Sequence, residues 1–203
     1  IEQRLHHLNR THTMLSGINQ LIVREQDVTS LLMNGCRIAV KDGKFVAAWI
    51  GMMDPDDGAL KMVGHAGLTE ETIDVLKGML GDASTPPACG FTARSLREGN
   101  CEVCNDVATD PESVPWRDLA LGLGYYSLAS LPITDGNRVV GNFNLYSGEV
   151  GYFDEEEMKL LQELSEDLSF ALKVHQQEVQ RQKAERELRE SESKLSQSLG
   201  LAG

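Results

Sequence analysis

YSLASLPI (Tyr126–Ile133) and VVGNFNLY (Val139–Tyr146) flank the three residues Asp135-Gly136-Asn137. The flanking runs suit a pleated, half-buried surface, and the residues between them are turn formers that tolerate left-handed backbone. The spacing predicts two adjacent strands. The same pattern occurs upstream, where Phe45–Met53 reads as a strand, Asp54-Pro55-Asp56-Asp57-Gly58 as a hairpin turn and Leu60–Ala66 as the return strand. Glu102–Val107 reads as one further short strand. Helices fill the rest. Asp27 can cap a helix reaching about Val40, which would bury Val28, Leu31, Leu32, Cys36 and Ala39 and end at Lys41-Asp42-Gly43. Thr69 caps a short helix with Leu68 and Ile73 as its hydrophobic staple. After a loop holding Pro86-Pro87, a helix near Phe91–Glu98 ends at Gly99; Asp110-Pro111 to Trp116 is irregular, and Leu119–Leu123 forms a helical turn. The order α-α-β-β-α-α-β-β-β-α predicts an α+β fold, an antiparallel sheet with helices packed against it.

The two ends of the chain are helical and long. Ile1, Leu8, Leu15 and Ile22 fall seven apart, with Leu5, Ile18 and Leu21 filling the same stripe, which predicts an amphipathic helix with coiled-coil character. From Phe153 to Leu199 there is no glycine and no proline. One helix over that stretch would span about 70 Å. Asp154 stands at its N-cap, Glu157 completes an acidic capping box, and Phe153 with Met158 forms the staple. Leu161, Leu164, Leu168, Leu172 and Val179 form the stripe expected to cover the sheet and begin a dimer seam. Val179 and Leu188 are spaced nine positions apart, after which the stripe resumes at Leu195 and Leu199. That gap reads as a register change between a domain and its output helix. His175 falls on the stripe as a polar seam residue. The chain divides into residues 1–25 (a coiled-coil-like helix), 26–174 (the domain) and 175–203 (a helical linker).

With 203 residues, 41% of them apolar, the chain can bury one core and carry helical extensions. No apolar run reaches the length that crosses a bilayer, which predicts a soluble, cytoplasmic protein. Ile1 is not an initiator methionine, so a longer parent chain is expected. The formal net charge is −12, with the acids spread over both the domain and the last helix. No basic face is available for nucleic acid, and none is expected as a partner.

Three segments in order resemble a GAF domain of bacterial signalling proteins. They are GFTARSLREG (Gly90–Gly99) running into VCNDVATDP (Val103–Pro111), SLASLPI (Ser127–Ile133) followed by VVGNFNLY (Val139–Tyr146), and FDEEE (Phe153–Glu157) leading through Leu160-Leu161 to Phe170-Ala171-Leu172. The match spans about residues 26–174. The subtype is similar to GAF modules found between PAS domains, histidine kinases and diguanylate cyclases, and Arg186–Gly200 resembles the run-in to a PAS domain. The resemblance implies a small-ligand pocket, with its loops and short helices, on one face of the sheet. It implies terminal helices, paired in dimers, on the other. The cyclic-nucleotide subclass carries Asn-Lys, a later Phe and then Asp-Glu. Here Leu145 follows Asn144, and the residues after Phe153 lead to Glu157-Met158, so that ligand is not expected.

Candidate pocket residues are Trp49, His65, Phe91, Arg94, Asn105, Tyr125, Tyr126, Ser130 and Asn144. Arg94 could pair with an anion, Asn105 or Ser130 could orient a ligand, and His65 could bind haem or another ligand. Their simpler roles are core for Trp49, a satisfied structural histidine for His65 and a solvated helix face for Arg94. The dimer and signalling positions are Leu8, Leu15, Ile22, Leu168, Leu172, Val179, Leu188 and Leu195.

Cys101 and Cys104 form a single CxxC; a structural zinc site wants two such pairs or added histidines. On a strand, residues i and i+3 point to opposite faces, which prevents joint chelation. Cys89 could serve as a third ligand or redox partner. Some GAF proteins reduce free methionine sulfoxide with three pocket cysteines and others attach a bilin through one, but the residues that surround those cysteines are not evident here. No metal is expected, and the cofactor is unknown. No nucleophile–base pair or phosphate loop stands out. The sequence reading is therefore a non-catalytic sensory module that binds an unidentified small ligand and signals through dimeric terminal helices toward a downstream PAS or output domain. The alternatives are a thiol-dependent reductase of the free methionine sulfoxide type and a purely structural dimerisation module.

Overall fold

A computed structural model describes residues 2–80 and 90–200. The elements are α1 (Glu2–Arg24), α2 (Val28–Lys41), β1 (Ala47–Met53), β2 (Leu60–Ala66), α3 (Glu70–Leu80), α4 (Phe91–Glu98), β3 (Glu102–Cys104), α5 (Arg117–Gly122), β4 (Ser127–Asp135), β5 (Arg138–Ser147) and α6 (Glu155–Gly200). A 3₁₀ turn at Pro111–Ser113 precedes α5. The five strands form one sheet in the order β2-β1-β5-β4-β3, with every neighbouring pair antiparallel. The α+β architecture expected from the sequence is the one observed.

Local chemistry sets the boundaries. The β4–β5 connection closes on Gly136-Asn137, with Asp135 paired to Arg138; Gly136 takes a left-handed φ of 61°, which costs glycine little. β1 begins at Ala47 rather than Phe45, because Lys44 turns the chain with a φ of 60°. β3 is three residues long instead of reaching Val107. It stops where Asn105 turns to clamp another segment: its Nδ2 donates to the Phe153 carbonyl (2.8 Å), and its Oδ1 accepts from the Phe153 N–H (3.0 Å). The expected strand start at Tyr126 also moves by one residue, to Ser127.

Alternation along the strands divides the side chains between two faces. Ala48, Ile50, Ala129, Leu131, Phe143 and Leu145 face α1, α2 and α6 and join Met14, Ile18, Leu32 and Leu164 in the main core. α2 approaches β2 so closely that a Cβ on Gly64 would lie 2.9 Å from the Leu32 carbonyl oxygen. Only glycine fits there without moving the helix backbone.

Asp154 caps α6, accepting at Oδ1 from the N–H groups of Glu156 (2.9 Å) and Glu157 (3.0 Å). The expected capping box is not closed from the other side. The Glu157 carboxylate instead accepts from the Thr11 hydroxyl of α1 and is buried. α6 then runs as one helix of 46 residues, about 70 Å long. Its first part, through Leu161, Leu164, Leu168 and Ala171, is buried against the sheet and α1. From Gln176 to Ser198 every side chain is exposed. Leu15 and Leu168, expected at a dimer seam, lie in the chain's own core, and Leu8, Ile22 and Leu172 are half-buried. Among the described residues no helix is long and apolar enough to cross a membrane.

Candidate functional site on the open sheet face

The face of the sheet turned away from the terminal helices is built by one row of residues running across all five strands. Strand register sets His65 opposite Trp49, Trp49 opposite Asn144, Asn144 opposite Ser130 and Ser130 opposite Glu102. Four candidates far apart in the sequence thus meet in one line. α4 lies over the β3–β4–β5 side of this row and brings Phe91 and Arg94 near it. Two residues the sequence reading did not single out complete the face. Asn142 and Tyr146 sit two positions either side of Asn144 on β5, so strand periodicity alone would have found them.

The row has an apolar end and a polar end. At the apolar end Trp49 and Leu60 are buried, with Met62, Leu76 and Leu96 packed against them. The Trp49 Nε1–H donates to the Tyr146 hydroxyl at 2.9 Å, and Tyr146 stacks on Tyr125 with ring centres 4.6 Å apart. Burial pushes the Tyr146 hydroxyl pKa up to about 12, against the opposing effect of the bond from Trp49. At the polar end, Thr92 Oγ1 donates to Asn144 Oδ1 (2.9 Å), Asn144 Nδ2 to Asn142 Oδ1 (3.2 Å), and Asn142 Nδ2 to Ser130 Oγ (3.1 Å). This ladder is neutral, and its Asn144, Asn142 and Ser130 members are buried. It can fix the position of a polar ligand group but cannot move protons at ordinary pH.

The remaining candidates have structural partners. Arg94, expected to meet an anion, is held by two carboxylates: its Nε lies 2.6 Å from Glu102 and its Nη1 2.6 Å from Glu112. Its guanidinium also stands 5.2 Å from the centre of the Phe91 ring. A guanidinium paired this way carries no surplus positive charge toward the row. Asn105 is taken up by the Phe153 backbone, on the side of the sheet edge where α6 starts. Tyr126 precedes β4 and is exposed. A groove of about 460 Å³ lies beside the start of α4, lined in part by Gly90, Arg94, Arg97, Glu112 and Val114.

Cys101 and Cys104 are on opposite faces, as strand alternation requires: Cys101 packs at the margin of the helix-side core and Cys104 inside the cluster with Phe91 and Leu128. Both are free thiols. Burial, reinforced by Glu166 and Glu102, pushes Cys101 up to about 11. Burial, reinforced by Asp110, pushes Cys104 up to about 11 as well. Cys36 is raised further by burial under the sheet. Cys89 lies outside the described residues, and among those residues no group of His, Cys, Asp or Glu side chains could hold a metal.

Comparison with known proteins places this geometry. The free methionine-R-sulfoxide reductase of Neisseria meningitidis, solved with its substrate, matches with a TM-score of 0.66 at 18% identity, over 82% of this chain and 90% of that one. The GAF domain of a phosphoenolpyruvate-protein phosphotransferase from Coxiella burnetii matches with a TM-score of 0.65 at 16% identity, over 85% and 97%. A domain of a Sinorhizobium meliloti protein described as a two-component sensor histidine kinase matches with a TM-score of 0.59 at 17% identity, over 77% and 97%. At these identities the likeness is one of fold. No curated protein matches the sequence. The model of the GAF domain family, by contrast, matches residues 25–173, which take in every strand and the buried part of α6. The chain belongs to the GAF domain family.

Proposed function

We propose that this is a sensory GAF module of a bacterial multidomain signalling protein, working in the cytoplasm as a homodimer. A small ligand on the Trp49–Asn144 face would bias the packing of α1 and α6, and α6 would pass that change to a downstream PAS or other output domain. One observation carries the reading: the helix that walls the sheet continues unbroken into a fully exposed shaft. The shaft has a seam. Val174, Arg181, Leu188 and Leu195 fall seven apart on it, and the three apolar members are exposed. Counted from Val174 instead of Val179, the stripe keeps register through the supposed gap, with Arg181 as its polar member. Arg181 pairs with Glu178 (2.8 Å) and with Glu185 on its own helix. A metabolite panel screened by thermal shift tests the sensor: one or more small polar compounds should raise Tm, and Asn142→Ala should remove that rise. A panel with no hit, repeated in the full parent chain, would leave the structural dimerisation module as the better account.

A second reading, a thiol-dependent reductase, is favoured by the likeness to the Neisseria meningitidis enzyme. Cys101 and Cys104 argue against it, since they lie on opposite faces of the sheet and are held protonated, while attack requires a thiolate. Replacing Cys89, Cys101 and Cys104 together by serine is therefore expected to leave a ligand-induced Tm rise in place. The parent chain is expected to show no turnover of free methionine-R-sulfoxide with dithiothreitol. Turnover that disappears in the triple variant would establish the reductase instead.

A further inference from the structure

Among the described residues, Glu157 is the one carboxylate that ranks with the largest fully buried side chains, at 1% exposure. It sits where the first turn of α6 meets α1, the two terminal helices of the chain. The Thr11 hydroxyl donates to Oε2, while Oε1 has no hydrogen-bond partner. Among the described residues no lysine or arginine pairs with it. The neighbouring Tyr152 hydroxyl is buried too, and its ring packs against those of Phe45 and His7 with centres 5.2 and 4.6 Å away.

An ionised carboxylate with a single donor is a costly occupant of such a site, whereas the neutral acid turns the partnerless Oε1 into a hydroxyl that can donate. We propose that Glu157 makes the α1–α6 joint a proton-linked clasp, closed when the carboxyl is protonated and loosened when it ionises. The inference goes beyond the sensor reading and does not depend on it, because it concerns docking of α1 and not occupancy of the sheet face.

From α1, His7 and His12 favour the carboxylate, and Arg10 lies further out with Glu149 at 3.5 Å. From the segment before α6, His7 meets Glu149 at 2.9 Å, and Asp154 opposes ionisation of Glu157. On α6 itself Glu155 and Glu156 are exposed. Burial is the largest influence, and the net direction is upward from the ordinary value of 4.5. The sign follows. A docked joint whose carboxyl binds its proton more tightly than the undocked one is favoured by acid. Opening of α1 should rise with pH from about 4.5, by up to about tenfold per pH unit, and level off once the raised pKa is passed.

Two measurements on the intact chain test this. In the first, ¹³C resonances of the glutamate carboxyls are titrated by NMR, with Glu157 assigned as the signal missing from Glu157→Gln. It should titrate above 4.5, and higher still in Thr11→Val, which removes the donor to the carboxylate. In the second, hydrogen exchange of the α1 amides Thr11–Ile18 is followed across pH and corrected for intrinsic rates. The native chain should lose protection as pH rises, while Glu157→Gln, which mimics the neutral acid, should hold the acid-side protection throughout. Titration of Glu157 at or below 4.5 would overturn the proposal, as would parallel exchange profiles for the native chain and the Glu157→Gln variant. If the glutamine variant fails to fold, Glu157 is assigned instead as the carboxyl signal whose titration moves upward in Thr11→Val, and a chain in which no glutamate carboxyl titrates above 4.5 and moves in that way would overturn the proposal.

Discussion

Replacing Leu164 by alanine is expected to lower the unfolding free energy by about 2–5 kcal/mol. Leu164 is fully buried on α6, between Leu161 and Leu168, where the helix lies on β4 and meets α1. Truncation removes its transfer energy and leaves a cavity between sheet and helix that a rigid sheet cannot fill by collapse. The same substitution at Leu188, on the exposed shaft of the same helix, should stay within about 0.5 kcal/mol when measured at concentrations too low for association. Urea denaturation of the two variants checks the division of α6 into wall and shaft. Equal losses at the two sites would contradict it.

Trp49→Ala should cost about 3–5 kcal/mol. Trp49 is 1% exposed at the apolar end of the cross-sheet row, so its removal opens that end of the candidate site and leaves the Tyr146 hydroxyl without its donor. Trp49→Phe separates the two effects. It keeps most of the packing and loses the hydrogen bond, and should cost about 1–3 kcal/mol. A loss below about 1 kcal/mol for Trp49→Ala, again by urea denaturation, would mean that Trp49 is loosely held and free to stack on a ligand instead of forming the floor beneath one.

Much of this fold was legible in the chain because its cues are local. The Asp135–Asn137 turn, the Asp27 and Asp154 caps and the alternation along β4 and β5 each follow from a few neighbouring residues. The opposite placement of Cys101 and Cys104 follows from strand periodicity in the same way. The misjudged positions depend on distant partners. Arg94 looks like an anion receptor until Glu102 and Glu112 fold back onto it. Asn105 is committed to Phe153, 48 residues away. Glu157 fits a capping box by spacing, yet its side chain is drawn to Thr11 across the joint with α1. Leu15 and Leu168 carry the same heptad signature as a seam between chains, but here the partner surface is the chain's own sheet and helices. Periodicity shows that a face is apolar; only the tertiary arrangement shows what covers it.

Whether α6 leaves the domain as the shaft of a dimer is decided by the mass in solution of the intact chain beside one ending at Gln176. The intact protein is expected at twice the 22.3 kDa chain mass and the shortened one as a folded monomer. A single-chain mass for the intact protein at every concentration reached, or a dimer that survives loss of residues 177–203, would contradict it.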